Sequence, residues 1–557
     1  VIMKKRDALL IPSLVLLSLI SCTSNGIKLT NEDKKIINST SFEYVDYGEN
    51  GTTNWDTNKW YKNELKNIPL PDPAVIEEDG TYYIYGTTDR TAAKTFDCYS
   101  TTDFNSFTLH KNVYAPTVNS ITQIALFAPE VYKIDGKFYM YYSGKKTDSD
   151  KSGVNVLVSD SPTGPFVEYK GKNALGEDVD YTSKMMVTDV KSGLGLSILD
   201  QTLLIDDDEI YMYYSVYDTG NMQYIVGFKM LDPVTPDLST YKILLRPGEL
   251  SPTTTRTNIL DWECMKSFKV AEGPIVMKSP KNGKYYMTYS VNHYPDRFYT
   301  VCYAESESPL GDYIKPYEKG SNWSNLFFGY AGPGIGTIYD QWEGFTSGTA
   351  HHFIFKAGDE YMIAYHAHKN RKDSSSGRVV GFDHVYFDEN GVPYTQGPST
   401  SLQPLPYSIS GYKNVATKAK IITENVENVS YINDEKVVEH YNLEQEKDKE
   451  VILKKGKAYI KFKLDKKYKI GGIQVVNSAF FDKMIDTIKF IKLGNGNNIV
   501  DGVFDGDNYV DLTKDFIYPD SNFTFDFENV ETDEITFCFE IGEESLNINE
   551  IKIFGEE

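Results

Sequence analysis

Apolar positions recur along the chain in short bursts and not at helical spacing. The bursts Tyr82-Tyr83-Ile84-Tyr85, Phe138-Tyr139-Met140-Tyr141, Ile210-Tyr211-Met212-Tyr213, Tyr285-Tyr286-Met287-Thr288 and Glu360-Tyr361-Met362-Ile363 are β-favouring. Their second members lie 56, 72, 75 and 75 residues apart. Each burst follows a turn signal (Asp79-Gly80, Asp135-Gly136, Asp206-Asp207-Asp208, Asn282-Gly283, Gly358-Asp359) that is itself preceded by a short apolar segment. That order is the signature of a β-hairpin. Five hairpin-centred repeats predict five small sheets around an axis, a β-propeller over residues 68–408.

From about Gly411 the pattern changes. Runs such as Ala458-Tyr459-Ile460-Lys461-Phe462-Lys463-Leu464 and Ile535-Thr536-Phe537-Cys538-Phe539 alternate strictly between apolar and polar, with Lys-rich and Glu-rich loops between them. Period-two patterning with one polar face predicts an antiparallel β-sandwich over residues 411–557. The expected fold class is therefore all-β: a five-bladed propeller followed by a β-sandwich of jelly-roll type. The closing run Leu546-Asn547-Ile548-Asn549-Glu550-Ile551-Lys552-Ile553-Phe554-Gly555 resembles the last strand of discoidin-like domains, many of which bind carbohydrate.

Before the propeller, Lys4, Lys5 and Arg6 precede an apolar run over residues 8–20 that is short for a membrane span and ends at Cys22. The run resembles a bacterial lipoprotein signal: residues 1–21 form the signal peptide, Cys22 carries the lipid, and residues 22–67 form a tether whose Trp55 and Trp60 pack on the folded body. The expected location is exported and lipid-anchored, with the membrane touched only through that anchor. A formal charge of −22 would repel a phosphate backbone and excludes nucleic acid as a partner. Cys98, Cys264, Cys302 and Cys538 have neither zinc spacing nor a disulfide framework, although Cys264 and Cys302 could pair in an exported chain.

Near the start of the strand before each turn stands a titratable residue: Asp72, Glu130, Asp200, Glu272 and His351. Any one acidic residue beside Pro or Gly is ordinarily a turn former. Five at corresponding places in five repeats would converge on the propeller axis, where unpaired buried carboxylates are costly unless functional. Glycosidic hydrolysis needs one carboxylic acid to protonate the leaving oxygen and one carboxylate to activate water or attack the anomeric carbon. Like charges held close keep one member protonated near neutral pH.

Asp72-Pro73, Ala128-Pro129-Glu130-Val131, Asp200, Glu272-Gly273-Pro274 and Gly348-Thr349-Ala350-His351-His352, with Arg378-Val379-Val380-Gly381-Phe382-Asp383 later, occur in the order found in glycoside hydrolase family 43. The chain resembles that family, whose members are inverting enzymes on five-bladed propellers, over residues 69–406. The resemblance implies that Asp72 is the general base, Asp200 the carboxylate that orients the acid and tunes its pKa, and Glu272 the general acid. Glu130 would line the substrate site or pin its strand, and His351 would match a channel His that holds water or a calcium ion. No cofactor is required. Phe127 stands where the family often has Trp, Gln201 where it often has Pro, and Ala350 where Gly is usual, which crowds the metal position. Leu199 replaces the Arg of the related fructan-cleaving propellers, which argues against fructan chemistry. Trp262, Trp342 and Phe345 are candidate sugar-stacking walls, with core packing the ordinary alternative for any single aromatic.

The function this implies is release of α-L-arabinofuranose or β-D-xylose from plant-type poly- or oligosaccharides by a monomer. Endo-arabinanase, galactofuranosidase and galactanase activities stay open within the same chemistry. A surface lipoprotein that captures glycans without cutting them is the alternative of another class.

Overall fold

The computed structural model describes residues 55–63, 68–88, 94–147, 149–189, 196–218, 222–253, 259–265, 267–296, 298–319, 324–329, 348–368, 377–399, 402–436, 448–478, 483–485, 488–494, 497–500, 522–542 and 544–556. Cys22, Trp342 and Phe345 lie outside them.

Five four-stranded antiparallel blades follow one another. Their innermost strands are Ala74–Glu78, Thr122–Ile134, Ser197–Asp206, Lys269–Lys278 and Ala350–Ala357, and each turns back into a tyrosine-rich second strand. The Asp-Gly turns work as their sequence implies. Asp79 and Gly80, like Asp135 and Gly136, both take positive φ, the backbone that matches the twist of a two-residue hairpin. The core is divided among the junctions. Tyr85 and Phe96 of the first blade pack with Met140 and Tyr142 of the second, Val156 of the second with Met212 of the third, and Tyr213 of the third with Met287 of the fourth. Tyr299 and Val301 of the fourth blade pack with Ala350 and Tyr365 of the fifth, and Phe355 of the fifth with Tyr82 and Phe104 of the first. The tyrosines are thus the cement between blades. Cys264 and Cys302 are both free thiols, as are Cys98 and Cys538.

Beyond the propeller, nine strands form one sheet that folds around Ile460, Phe462, Ile470, Ile473, Phe525 and Phe537. Its longest strand, Gly456–Asn477, shifts register at two places along its pairing with Asn522–Ile541, and the bends let one strand serve both sides of the sandwich. The strand Trp60–Lys62 pairs with Leu402–Pro404, so chain before the first blade meets chain after the last. The sandwich closes over this pair. Trp60 meets Phe554 edge-on at 5.2 Å, Lys59 Nζ bonds Asp526 Oδ1 at 2.9 Å and Phe527 O at 2.8 Å, and Gln474 Nε2 donates to Leu402 O at 2.8 Å. Gly472 makes room for the indole, since a Cβ there would lie 2.5 Å from Trp60 Cζ2.

Trp60→Ala should lower stability by about 3–5 kcal/mol, the usual range for truncating a buried aromatic, measured by denaturant unfolding. A loss below about 1 kcal/mol would mean the sandwich adds little to the propeller.

Candidate active site

Four of the five innermost strands carry a one-residue bulge at the axis, where the pairing skips between Phe127 and Glu130, Leu199 and Thr202, Glu272 and Ile275, and Ala350 and Phe353. In each bulge one residue takes left-handed φ: Ala128, Asp200, Gly273 and His351. Asp72, just ahead of the first blade's strand, does the same. Aligned on this conformation, the five titratable residues occupy three levels and not one. Asp72, Asp200 and His351 are the left-handed residues themselves. Glu272 sits one residue before, at the place Phe127 holds in the second blade. Glu130 sits two residues after, at the place of Thr202 and Ile275.

The bulges interlock. A left-handed N–H points away from its own sheet and must find an acceptor elsewhere, and the preceding blade supplies one. Ala128 N–H donates to Thr87 Oγ1, Asp200 N–H to Ser143 Oγ and His351 N–H to Ser290 Oγ, each at 2.8 Å. Asp72 N–H donates to His366 Nδ1 at 3.3 Å and closes the ring from the fifth blade to the first. Ser143, Ser290 and His366 hold one register position on the second strand, opposite the residue that precedes each left-handed one, and Thr87 lies two residues past the end of the first blade's second strand. The junction of the third blade with the fourth breaks the rule. Gly273 N–H serves the Asp200 carboxyl, and Ser215 Oγ, at the matching position, is buried with no hydrogen-bond partner.

Burial acts on every carboxyl here, and the neighbours decide the outcome. At Asp72, burial alone would raise the pKa, but His351 Nδ1 at 3.2 Å and Arg378 Nη1 at 3.3 Å from Oδ1 outweigh it. The carboxyl is held well below the usual range. Burial lowers both imidazoles, His366 to about 3, so Arg378 is the formal cation at this carboxylate near neutral pH. Glu272 goes the other way. Burial raises its pKa to about 7, aided by the Asp72 charge and opposed by donors at both oxygens, Tyr299 O–H at 2.7 Å and Gln223 Nε2 at 2.8 Å. Asp200 is raised well above its ordinary value by burial, then by the charges of Glu272 and Asp72. Asp200 and Glu272 titrate as a coupled pair that holds at least one proton at neutral pH.

Several expectations need correction. Glu130 lies below the ring; Tyr132 donates its hydroxyl to Oε2, that hydroxyl also meets Thr202 Oγ1, and burial lifts the carboxyl to about 8. It pins strands together, one of the two roles expected of it, and its charge also acts on Asp200. Trp262 is no stacking wall: its indole is buried among Leu245, Leu260 and Tyr289, with Nε1 on Asn325 Oδ1 at 2.9 Å. Phe127 is half-buried and pairs opposite Ser143. Gln201 replaces the Pro of other blades with bonds from its amide to Ala128 O and Tyr141 O. Among the described residues no group of three or more His, Cys, Asp or Glu side chains could hold a metal ion. His351 Nδ1 faces Asp72 Oδ1 at 3.2 Å. His366, Tyr299 and Gln223 were not singled out from sequence, and Arg378 was read only as the start of a family-like segment with no site role; His366 holds the register position opposite Ala350, a repeat signal that could have found it.

An all-β propeller whose axis holds one carboxylate kept charged and a coupled pair kept protonated is a hydrolase-like arrangement. The sequence from residue 61 to 393 matches the family described as "Glycosyl hydrolases family 43", more than half of the chain, and the chain belongs to that family. It is similar to "Xylosidase/arabinosidase 43A" of Humicola insolens, at 25% identity over 60% of this chain and 98% of that protein. It is also similar to "Extracellular endo-alpha-(1->5)-L-arabinanase 2" of Bacillus subtilis (strain 168), 28% identical over 28% of this chain, and to "Extracellular endo-alpha-(1->5)-L-arabinanase" of Thermotoga petrophila, 26% identical over 44% of it. The chain spans 34% and 51% of the length of these two arabinanases. Among solved structures, one described as a thermostable family-43 glycoside hydrolase aligns at 25% identity over 62% of this chain and 98% of its own, with a TM-score of 0.49.

Two outcomes follow from the ring and the charges. Ser143→Ala strands the buried Asp200 N–H and should cost about 2 kcal/mol, whereas Ser215→Ala, which strands nothing, should stay within about 0.5 kcal/mol; equal losses in denaturant unfolding would remove the ring as a source of stability. In Arg378→Met, the Asp72 carboxyl should titrate at higher pH than in the parent chain, followed by carboxyl carbon NMR, and an unmoved titration would mean the imidazoles alone hold the charge.

Proposed function

We propose that this chain is an inverting glycosidase that releases pentose units, α-L-arabinofuranose or β-D-xylose, from plant-type polysaccharides or their fragments. The observation that carries the proposal is the opposite tuning of two buried carboxyls at one axis: Asp72 stays ionised while Glu272 holds a proton up to about pH 7. A general base and a general acid need those states. Asp72 takes a proton from water as that water attacks the anomeric carbon. Glu272 gives its proton to the leaving oxygen, and Asp200, coupled to Glu272, orients the acid and helps keep it protonated.

The pentose assignment draws on the names of relatives that cleave arabinan or xylosyl and arabinosyl linkages, and a relative named as a β-D-galactofuranosidase keeps that sugar as an alternative. Export fits the two relatives named extracellular, and lipid attachment at Cys22 rests on the signal-like run before it. The propeller over residues 68–408 carries the chemistry, and the sandwich over 411–557 is an accessory domain.

Wild-type and Glu272→Gln chains lacking residues 1–22 should be compared on polysaccharides and aryl glycosides, with the first-formed anomer followed by proton NMR. The wild type should release one pentose with inverted configuration. Its rate should fall as pH rises through about 7, because Glu272 must keep its proton, and should hold on the acid side well below the usual carboxylate range, because Asp72 stays charged there. Glu272→Gln should lose roughly 100-fold or more on poor leaving groups and much less on dinitrophenyl glycosides. A retained anomer would make Asp72 a nucleophile. Binding with no release from any substrate would favour the capture protein.

A further inference from the structure

Glu272 is gripped at both oxygens by side chains that the reaction scheme leaves without a role. Tyr299 O–H reaches Oε1 at 2.7 Å, Gln223 Nε2 reaches Oε2 at 2.8 Å, and both residues are buried. Their positions have separate causes. Tyr299 is set by a turn just ahead of the strand Thr300–Ser306, its N–H donating to Asp296 O at 3.0 Å. Gln223 lies at the start of the third blade's strand Met222–Asp232, which pairs in parallel with the fourth blade's innermost strand, Gln223 opposite Val270. Among the described residues this is the one junction where neighbouring blades share a strand pairing, and it lies two residues before Glu272. The ring of Tyr299 also stacks on His366, centroids 5.5 Å apart and planes 23° apart, and His366 Nδ1 meets Asp72. A packed chain of side chains therefore runs Glu272, Tyr299, His366, Asp72.

We propose that Tyr299 and Gln223 are positioning residues for the general acid, fixing the plane of the Glu272 carboxyl and, through His366, its place relative to Asp72. This rests on the assignment of Glu272 as general acid. A carboxyl is free to turn about its last torsion, which is broad and two-fold, and a proton that samples many directions is poorly aimed at a leaving oxygen. Two donors from different blades occupy one acceptor position on each oxygen and leave the proton to the free positions. Because donors favour the charged form, they also oppose the rise caused by burial and by Asp72. The titratable and charged groups that face Glu272 are Asp72 of the first blade, Asp200 of the third, Tyr299 of its own blade and Arg378 of the fifth, with the His351 ring packed against the adjoining Gly273.

The test is the pH profile of kcat/KM for the full chain carrying Tyr299→Phe or Gln223→Met, with a series of aryl glycosides of graded leaving-group acidity. Each variant loses a donor to the carboxylate, so the alkaline limb should move to higher pH. Turnover should drop about tenfold on the poorest leaving group, the worth of one charged hydrogen bond, and hardly at all on the dinitrophenyl glycoside. Circular dichroism and thermal melting check that each variant is folded, and the two substitutions back each other if one is not. Folded variants with an unmoved alkaline limb and an unchanged leaving-group dependence would overturn the positioning role while the glycosidase reading stood. A wild-type chain that cleaves none of the glycosides would overturn both.

Discussion

The constraint on which the site depends is a backbone donor with nowhere to go. At the axis of each blade a residue adopts the left-handed conformation, which costs about 1–2 kcal/mol for residues other than glycine and turns its N–H out of its own sheet. Burial forbids leaving that N–H unpaired, so the preceding blade must offer an acceptor, and a hydroxyl or imidazole at one fixed register position does so. The result is a ring in which each blade fixes the next. The left-handed residue is also what swings a side chain out of the pleat toward the axis, so the interlock that assembles the propeller is the device that presents Asp72, Asp200 and His351 to one another.

Within that ring, similar burial produces opposite protonation because only one carboxyl meets a permanent cation at close range. Arg378 comes within 3.3 Å of Asp72, and the imidazoles beside it act as neutral polar partners. Glu272 has donors but no direct ion pair among the described residues, and it faces a neighbour already charged. A carboxyl in that position keeps its proton until near neutrality. The junction of the third and fourth blades shows the same logic at backbone level: Gly273 gives its N–H to Asp200 in place of Ser215, so one link of the scaffold is spent on the carboxyl trio.

Much of this was legible in the chain. The tyrosine bursts mark the hairpins because aromatic side chains at that spacing can only cement neighbouring sheets, and Asp-Gly turns fix where the hairpins reverse. Asp72, Asp200 and Glu272 stood out because a carboxylate beside a strand start in a repeating unit has no structural excuse. The levels did not stand out, since a bulge adds one residue without a composition signal, and so Glu130 looked equivalent to residues that sit above it. Trp262 misled because proximity in sequence to Glu272 says nothing about which way an indole turns. Arg378 and Gln223 were out of reach for a related reason: each contacts a carboxyl more than forty residues away through packing between blades, and no local pattern records such a meeting.

The seam between the last and first blades is where the site is most exposed to failure. Asp72 belongs to the first blade, whereas His351, His366 and Arg378 all belong to the fifth. No strand pairing joins these two blades among the described residues. Besides the packing of Phe355 on Tyr82 and Phe104, the chain just ahead of the first blade ties them together. Asn63 bridges to Phe382 through both its amide groups, with Nδ2 on Phe382 O at 2.7 Å and Oδ1 accepting Phe382 N–H at 2.8 Å, and Val380 N–H donates to Ile68 O at 3.0 Å. The same segment supplies Trp60 and Lys59 to the sandwich. The sandwich therefore braces the segment that helps to brace the seam at which Asp72 meets His351, His366 and Arg378.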